Sequence, residues 1–245
     1  MKIRIKFRKQ GAMKFVGHLD VMRYFQKAMR RGDIDIRYSE GFSPHQIMSF
    51  ASPLGVGLTS NGEYMDIEVS NSLSSVEMVH RLNEVMTEGF QILSWRRLPD
   101  DAKNAMSLVT GADYTAAFRK GYEPEDLESF FKSFSAFCSQ ESIPVMKKTK
   151  KGEKRLDIRP LIYQHTVIRT EGDEYAPVNF QEIERPLLFI RVSAGSADNL
   201  KPEVLLSACC EKGAVPYTPF AFEVQREELY GPGFCSLDSY GEEIL

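Results

Sequence analysis

The sequence has little cysteine: Cys138, Cys209, Cys210 and Cys235 are the four in 245 residues, and none stands in a CxxC spacing. This excludes a zinc ribbon, a dithiol redox motif and the tight three-cysteine cluster of an iron–sulfur site, and leaves reduced thiols as the expectation. No apolar run approaches the roughly 20 residues of a membrane helix. The opening MKIRIKFRKQ alternates charged and apolar residues and so lacks the continuous apolar core of a signal peptide. A cytoplasmic protein without a membrane partner is expected. A 42% hydrophobic, 27% charged and 11% aromatic composition fits a globular chain rather than a disordered one, with length enough for two domains.

What the chain does have is unevenly placed charge. Its net charge is −3, yet residues 1–37 hold eleven Lys or Arg against Asp20, Asp33 and Asp35, a local +8 that leaves −11 for the remainder. A second basic cluster, KKTKKGEKRLDIR at 147–159, includes Lys147, Lys148, Lys150 and Lys151. Two such clusters on an acidic background point to a surface facing a polyanion, or to solvated faces with no partner.

KIRIKFR alternates strictly, the pattern of a half-buried strand with Ile3, Ile5 and Phe7 inward and Lys2, Arg4, Lys6 and Arg8 outward. From His18 to Arg31 the period becomes helical: Leu19, Met22, Phe25 and Met29 recur on one face, and Arg23, Lys27, Arg30 and Arg31 line another. Asp20 sits in the first turn and Gly32 closes the helix. IDIRY is read as a strand, EYMDIEVS as another, SSVEMVHRLNEVMTEG as a helix capped by Ser74 or Ser75, and FQILSWRRL as a strand.

The second half repeats the order with YTAAFRK, PEDLESFFKSFSAFCSQ, PVMKKTK, KRLDIRPLIYQHTVIRT, RPLLFIRVSA, KPEVLLSACCEKG and FAFEVQREELY. Trp95, Phe130, Phe131, Phe134, Phe137, Cys209 and Cys210 are assigned to packing.

The expected fold class is α+β, two tandem ferredoxin-like (βαββαβ) units with a long Gly/Pro insertion in the first. The first domain would be 1–98 with the insertion at 39–62, followed by a linker at 99–113, a second domain at 114–230 and a weakly ordered tail at 231–245. In this fold one sheet face is free of helices. Lys2, Arg4, Lys6 and Arg8 would then form a cationic stripe, with about 6 to 7 Å between successive charges, suited to an RNA backbone more than to bases because no aromatics interleave it.

GHLD, AMRR, YSEGFSPH, SFASPLGVGLTS and GEYMD, in that order, followed further on by DIRPLIY, resemble the radical SAM-linked protein family (DUF2344). Gly17 stands where that pattern usually has Ser, removing a hydroxyl beside His18, and Gln46 where it has Pro, loosening the turn. The resemblance implies a radical SAM partner in RNA or protein modification. The chain itself has no CxxxCxxC, so no independent radical SAM activity is expected, and no cofactor of its own.

His18 and His45 are the candidate catalytic pair, facing one site if the insertion folds over the sheet end, with Arg23, Glu63 and Asp66 beside them. The alternatives are a cap at His18 and a turn contact at His45. No metal is expected, because no His pair has i, i+3 or i+4 spacing. Gly41, Phe42, Ser43, Pro44, His45, Gly55, Gly57, Glu63 and Asp66 would form a substrate or partner loop. Gly55 and Gly57 would allow close backbone approach, though their GxG precedes a strand and so is no dinucleotide fingerprint. The functional expectation is an accessory module binding RNA or another substrate for a radical SAM enzyme. The alternatives are a metal-independent RNA-processing enzyme using His18 and His45, or a subunit that only docks its partner protein.

Overall fold

The computed structural model describes residues 1–149, 152–169, 172–175, 185–196, 198–213, 215 and 217–245. In chain order the elements of the first half are β1 (Lys2–Lys9), α1 (His18–Arg31), β2 (Met48–Phe50), β3 (Thr59–Glu68), α2 (Ser75–Asn83), β4 (Phe90–Arg97) and α3 (Ala105–Leu108). Then follow β5 (Gly111–Phe118), α4 (Leu127–Cys138), β6 (Pro144–Thr149), β7 (Gly152–Asp157), β8 (Ile162–Ile168), β9 (Leu187–Ser193), α5 (Pro202–Lys212) and β10 (Phe222–Tyr230). The protein is a mixed α+β fold with mostly antiparallel strand pairing. It divides into two compact units, residues 1–111 with 226–245, and residues 112–225. Among the described residues no helix is long and apolar enough to cross a membrane.

In the first unit β1 lies between β4 and β3, antiparallel to both, and β2 pairs with the C-terminal half of β3. The alternation of KIRIKFRK is realised: Ile3, Ile5 and Phe7 are buried in one core with Val21, Phe25 and Met29 of α1, Met65 and Ile67 of β3, and Trp95 of β4. The Phe7 and Phe25 rings meet at 4.6 Å and Phe50 closes edge-on against Phe7 at 6.0 Å. α1 starts and stops where its period and Gly32 predict. α2 opens on a capping box, in which Ser74 Oγ accepts the Glu77 N–H and the Glu77 carboxylate accepts the Ser74 N–H.

Three segments of this unit differ from expectation. IDIRY is not a strand: Ile36 and Tyr38 make only isolated bridges to Val69 and Gln46, and the paired strand is MSF, inside the Gly/Pro stretch. Both edges of residues 36–38 are taken by single contacts, Arg37 N–H to the Glu68 carbonyl and Ile47 N–H to the Arg37 carbonyl, so no ladder extends from them. Residues 99–111 of the expected linker at 99–113, and the expected loose tail at 231–245, are built into the unit. Ala105 N–H donates to Asp66 at 2.7 Å, Leu237 is fully buried, and Arg97 and Glu242 exchange backbone hydrogen bonds at 2.8 and 2.9 Å.

In the second unit, the strands run in the order β10, β5, β9, β8, with β10 contributing its first residues and β6–β7 forming a separate hairpin. Phe118, Phe130 and Phe222 cluster with centroids 4.3 to 6.3 Å apart, and Phe131, Phe134, Phe137, Cys138, Cys209 and Cys210 are buried as their spacing implies.

Candidate functional site

β1 places Lys2, Arg4, Lys6 and Arg8 on the face away from α1, as the alternation requires, but that face is not open. Arg4 is 0% exposed. Its guanidinium forks onto Asp66, Nε to Oδ1 at 2.8 Å and Nη2 to Oδ2 at 2.9 Å, and also donates to the carbonyls of Leu237 and Lys103. Lys6 pairs with Glu228 at 2.7 Å, beside Tyr64, whose O–H donates to the same carboxylate. Burial first, and then the Glu228 charge, push the Tyr64 phenol well above its ordinary pKa. The Lys2 ammonium donates to the carbonyls of Asp100 and Ala102 at 2.6 and 3.2 Å, and Arg8 reaches Gln91 at 3.1 Å. The expected RNA-facing stripe is therefore a set of partnered cations, Arg4 buried and Lys2, Lys6 and Arg8 half-buried. Besides Asp66 of β3 and Gln91 of β4, the partners come from residues 100–103, from β10 and from Leu237, and the first and last of these lie where composition alone suggests a linker and a tail.

Arg23, Lys27, Arg30 and Arg31 do face solvent along α1. Their local contacts are slight: Arg23 with Asp20 at 3.2 Å, both about two-thirds exposed, and Arg30 and Arg31 with the carbonyls of Gln26 and Val85. Arg31 also lies over the Tyr24 ring at 5.5 Å. Of the second basic cluster, Lys150 and Lys151 lie outside the described residues. Lys147 and Lys148 are in β6, opposite Lys154 and Glu153.

The Gly/Pro stretch forms one wall of a cavity of about 500 Å³ lined by Lys2, Ser39, His45, Ile47, Met48, Ser49, Asp66, Ile67, Glu68, Leu98, Ala102 and Asn104. This size is typical of small-ligand sites. Gly41, Phe42, Ser43 and Pro44 form the exposed tip of the stretch, with Gly41 at φ 109. His45 closes that tip: Ser39 Oγ accepts the His45 N–H at 3.1 Å and stands 2.9 Å from Nδ1, while the Ser39 N–H donates to the His45 carbonyl.

His18 is not on this cavity. It packs edge-on against Phe50 at 5.4 Å, on the helix-covered face with Phe7 and Phe25. Phe50 is in the core with Phe7 and Phe25, while Met48 and Ser49 line the cavity. The cavity lining includes His45 but neither His18 nor Arg23, and among the described residues no hydrogen bond or ring contact joins the expected His18 and His45 pair.

Glu63 is likewise absent from the cavity lining. It forms a buried bidentate pair with Arg226, at 2.7 Å to Nε, and Arg226 also donates to the Ser52 carbonyl. Gly57 approaches a backbone as expected, its N–H donating to the Lys14 carbonyl at 2.7 Å with φ at 93. A tight approach is also made at Gly62, where a Cβ would stand 2.6 Å from the Glu227 carbonyl oxygen. Gly55 lies exposed in the intervening loop.

Lys9 was missed by sequence reasoning. It is buried, donates to the Val16 carbonyl at 2.8 Å, and burial lowers its pKa, opposed by Glu63 and reinforced by Arg226. The signal was available: Lys9 continues the inward parity of Ile3, Ile5 and Phe7. Among the described residues no group of three or more His, Cys, Asp or Glu is placed to hold a metal ion.

The architecture and this arrangement define a mixed α+β protein whose first unit presents a polar cavity beside its Gly/Pro motif and a cation-lined helix. Residues 2–202 match the family described as "Uncharacterized protein conserved in bacteria (DUF2344)", and the chain belongs to that family. No match is found among curated proteins. Among solved structures, a chain of the "Crystal Structure of a Cbf5-Nop10-Gar1 Complex" is similar over 93% of this protein at 10% identity, with a TM-score of 0.47. The present chain spans 48% of that chain's length. A likeness at this level carries no functional weight.

Proposed function

We propose that the protein is an accessory RNA-binding module that works in the cytoplasm with a radical SAM enzyme, gripping the RNA backbone through α1. The radical SAM partner rests on the motif resemblance alone. The RNA reading rests on one observation: Arg23, Lys27, Arg30 and Arg31 are exposed on α1, and among the described residues Asp20 is the one carboxylate paired with the row. At 1.5 Å rise per residue, the row runs about 12 Å along the helix, a length that meets two or three phosphates. Each unit is further proposed to be a ferredoxin-like sandwich. The order β10, β5, β9, β8, with α4 following β5 and α5 preceding β10, supports this for the second unit.

The enzyme alternative draws no support from the cavity, whose lining includes His45 and not His18. The test is RNA binding across a salt series with the wild type and a variant carrying Gln at positions 23, 27, 30 and 31. Wild-type affinity should fall steeply with salt, and the variant's slope should be shallower by about 0.7 for each phosphate it no longer neutralises. Equal affinity and slope for the two proteins, or no RNA binding by the wild type, would refute the proposal.

A further inference from the structure

The cavity of the first unit uses none of the α1 cations, and its lining has a chemistry of its own. Lys2 and Glu68 stand directly opposite each other in the β1–β3 register, the position in which opposite charges ordinarily pair across strands. Here they turn apart. The Lys2 ammonium is drawn to the carbonyls of Asp100 and Ala102, and the Glu68 carboxylate to Arg37 at 3.0 Å, so both charges line the cavity without neutralising each other.

Three more lining groups retain hydrogen-bonding capacity. The Ser49 hydroxyl has no partner among the described residues. The Asn104 amide uses its oxygen on the Ser107 N–H at 3.0 Å, leaving its NH₂ free. His45 is engaged through Nδ1, leaving Nε2.

This lining selects among ligand classes. A nucleobase would find no aromatic platform beyond the His45 imidazole, and base binding draws much of its energy from stacking. A polyphosphate would meet the one Lys2 ammonium beside the Glu68 carboxylate, with no second lysine or arginine in the lining. An apolar molecule would cover the Ser49 hydroxyl and the Asn104 NH₂ and leave them without partners, at a cost for each. A small molecule with an anionic and a cationic end a few bonds apart answers the Lys2 ammonium, the Asn104 amide and the Glu68 carboxylate at once.

We infer that this cavity binds a free α-amino acid, its carboxylate toward Lys2 and the Asn104 amide and its ammonium toward Glu68. The side chain lies against Ile47, Met48 and Leu98. Asp66, with both oxygens held by Arg4 and the Ala105 N–H, sets the floor and takes no part in selection.

The test uses the full chain and the twenty free amino acids as probes, by ligand-detected NMR and calorimetry, each compared with its N-acetyl and methyl-ester forms. At least one free amino acid binds at millimolar concentration or below, and blocking either end weakens it about tenfold or more, the scale of a missing hydrogen bond to a charged group. Glu68→Gln weakens binding similarly, while the α1 variant described above leaves it unchanged, which separates this site from the RNA reading. Binding by no amino acid, or equal binding of the blocked forms, overturns the inference, as does displacement by mononucleotides. The comparison of free and blocked probes needs only the wild-type protein, so it stands even if a cavity variant fails to fold.

Discussion

Arg4 and Asp66 provide a sharp test of how the first unit is held together. Arg4 is fully buried and the Asp66 side chain is 11% exposed, with the guanidinium and carboxylate joined by two parallel hydrogen bonds. Asp66→Ala leaves a buried guanidinium without its counterion and removes the acceptor of the Ala105 N–H. Breaking one side of such a pair costs about 3–5 kcal/mol, a large share of the roughly 5–15 kcal/mol that separates a folded domain from its unfolded chain. With a urea m-value of about 2.5 kcal/mol/M, a loss of about 4 kcal/mol lowers the midpoint of this unit by about 1.6 M. Arg4→Met should cost a similar amount.

The double variant, Arg4→Met with Asp66→Leu, retains an apolar pair of similar bulk. What it loses are the Arg4 bonds to the Leu237 and Lys103 carbonyls and the Asp66 bond to Ala105, about 1 kcal/mol each. It should therefore be no less stable than either single variant, with a coupling energy of about 3 kcal/mol or more. Chemical denaturation of the four proteins, followed by Trp95 fluorescence in the same unit, reads all of these values. Additive losses, or single variants within about 1 kcal/mol of wild type, would refute the reasoning.

Three other outcomes are expected. Gly62→Ala should lower stability by about 2 kcal/mol, because the new Cβ meets the Glu227 and Glu228 backbone at 2.6 and 2.8 Å. Gly41→Ala meets nothing within 4 Å, so its cost, about 1 kcal/mol of left-handed strain, should be the smaller in parallel thermal denaturation. In native protein one thiol, Cys235, should alkylate quickly and all four only after unfolding. Burial pushes Cys138 and Cys209 up to about 12 and Cys210 to about 11, so mass spectrometry that finds Cys138 labelled at the Cys235 rate would count against the packing described. The Ser74 hydroxyl and N–H hold the Glu77 carboxyl below its ordinary pKa. This cap's contribution is therefore present above the ordinary carboxylate pKa and lost as pH falls through the folded value. Ser74→Ala should move the Glu77 NMR titration upward, and an unchanged titration would remove the capping box as its cause.

The elements were legible where a period was strong. KIRIKFRK and HLDVMRYFQKAMRR each carry one inward stripe, and both formed as read because burial of that stripe decides the local structure. What was not legible is what covers the other side of the sheet. Arg4 and Leu237 are 233 positions apart, and a residue that offers a backbone carbonyl leaves no trace in side-chain chemistry. The expected His18 and His45 pairing shows a related limit: spacing along the chain does not say what each ring packs against, and His18 meets Phe50 of the core while His45 bonds Ser39 beside the cavity. The Gly/Pro stretch was legible as special, and Gly57 does meet a backbone carbonyl, but the close packing of Gly62 against Glu227 and Glu228 was not read from the sequence.

The charge asymmetry takes on a different meaning once β10 is considered. Arg226, Glu227 and Glu228 are consecutive, and each meets a polar group of the N-terminal segment or of β3: Arg226 the Glu63 carboxylate, Glu227 the Asn61 amide, and Glu228 both Lys6 and Tyr64. Lys2, Arg4, Lys6 and Lys9, four of the eleven early cations, are thereby committed inside the unit to carbonyls and carboxylates contributed elsewhere in the chain. A local +8 is thus partly a folding device, in which a basic first strand is matched by acidic and carbonyl-bearing segments that arrive much later in the sequence. Of the seven early cations that remain, four lie together on α1, where helical spacing turns them away from the core. Neutralising α1 should change what the protein binds with little effect on its stability, whereas neutralising β1 should unfold the first unit before any binding can be measured.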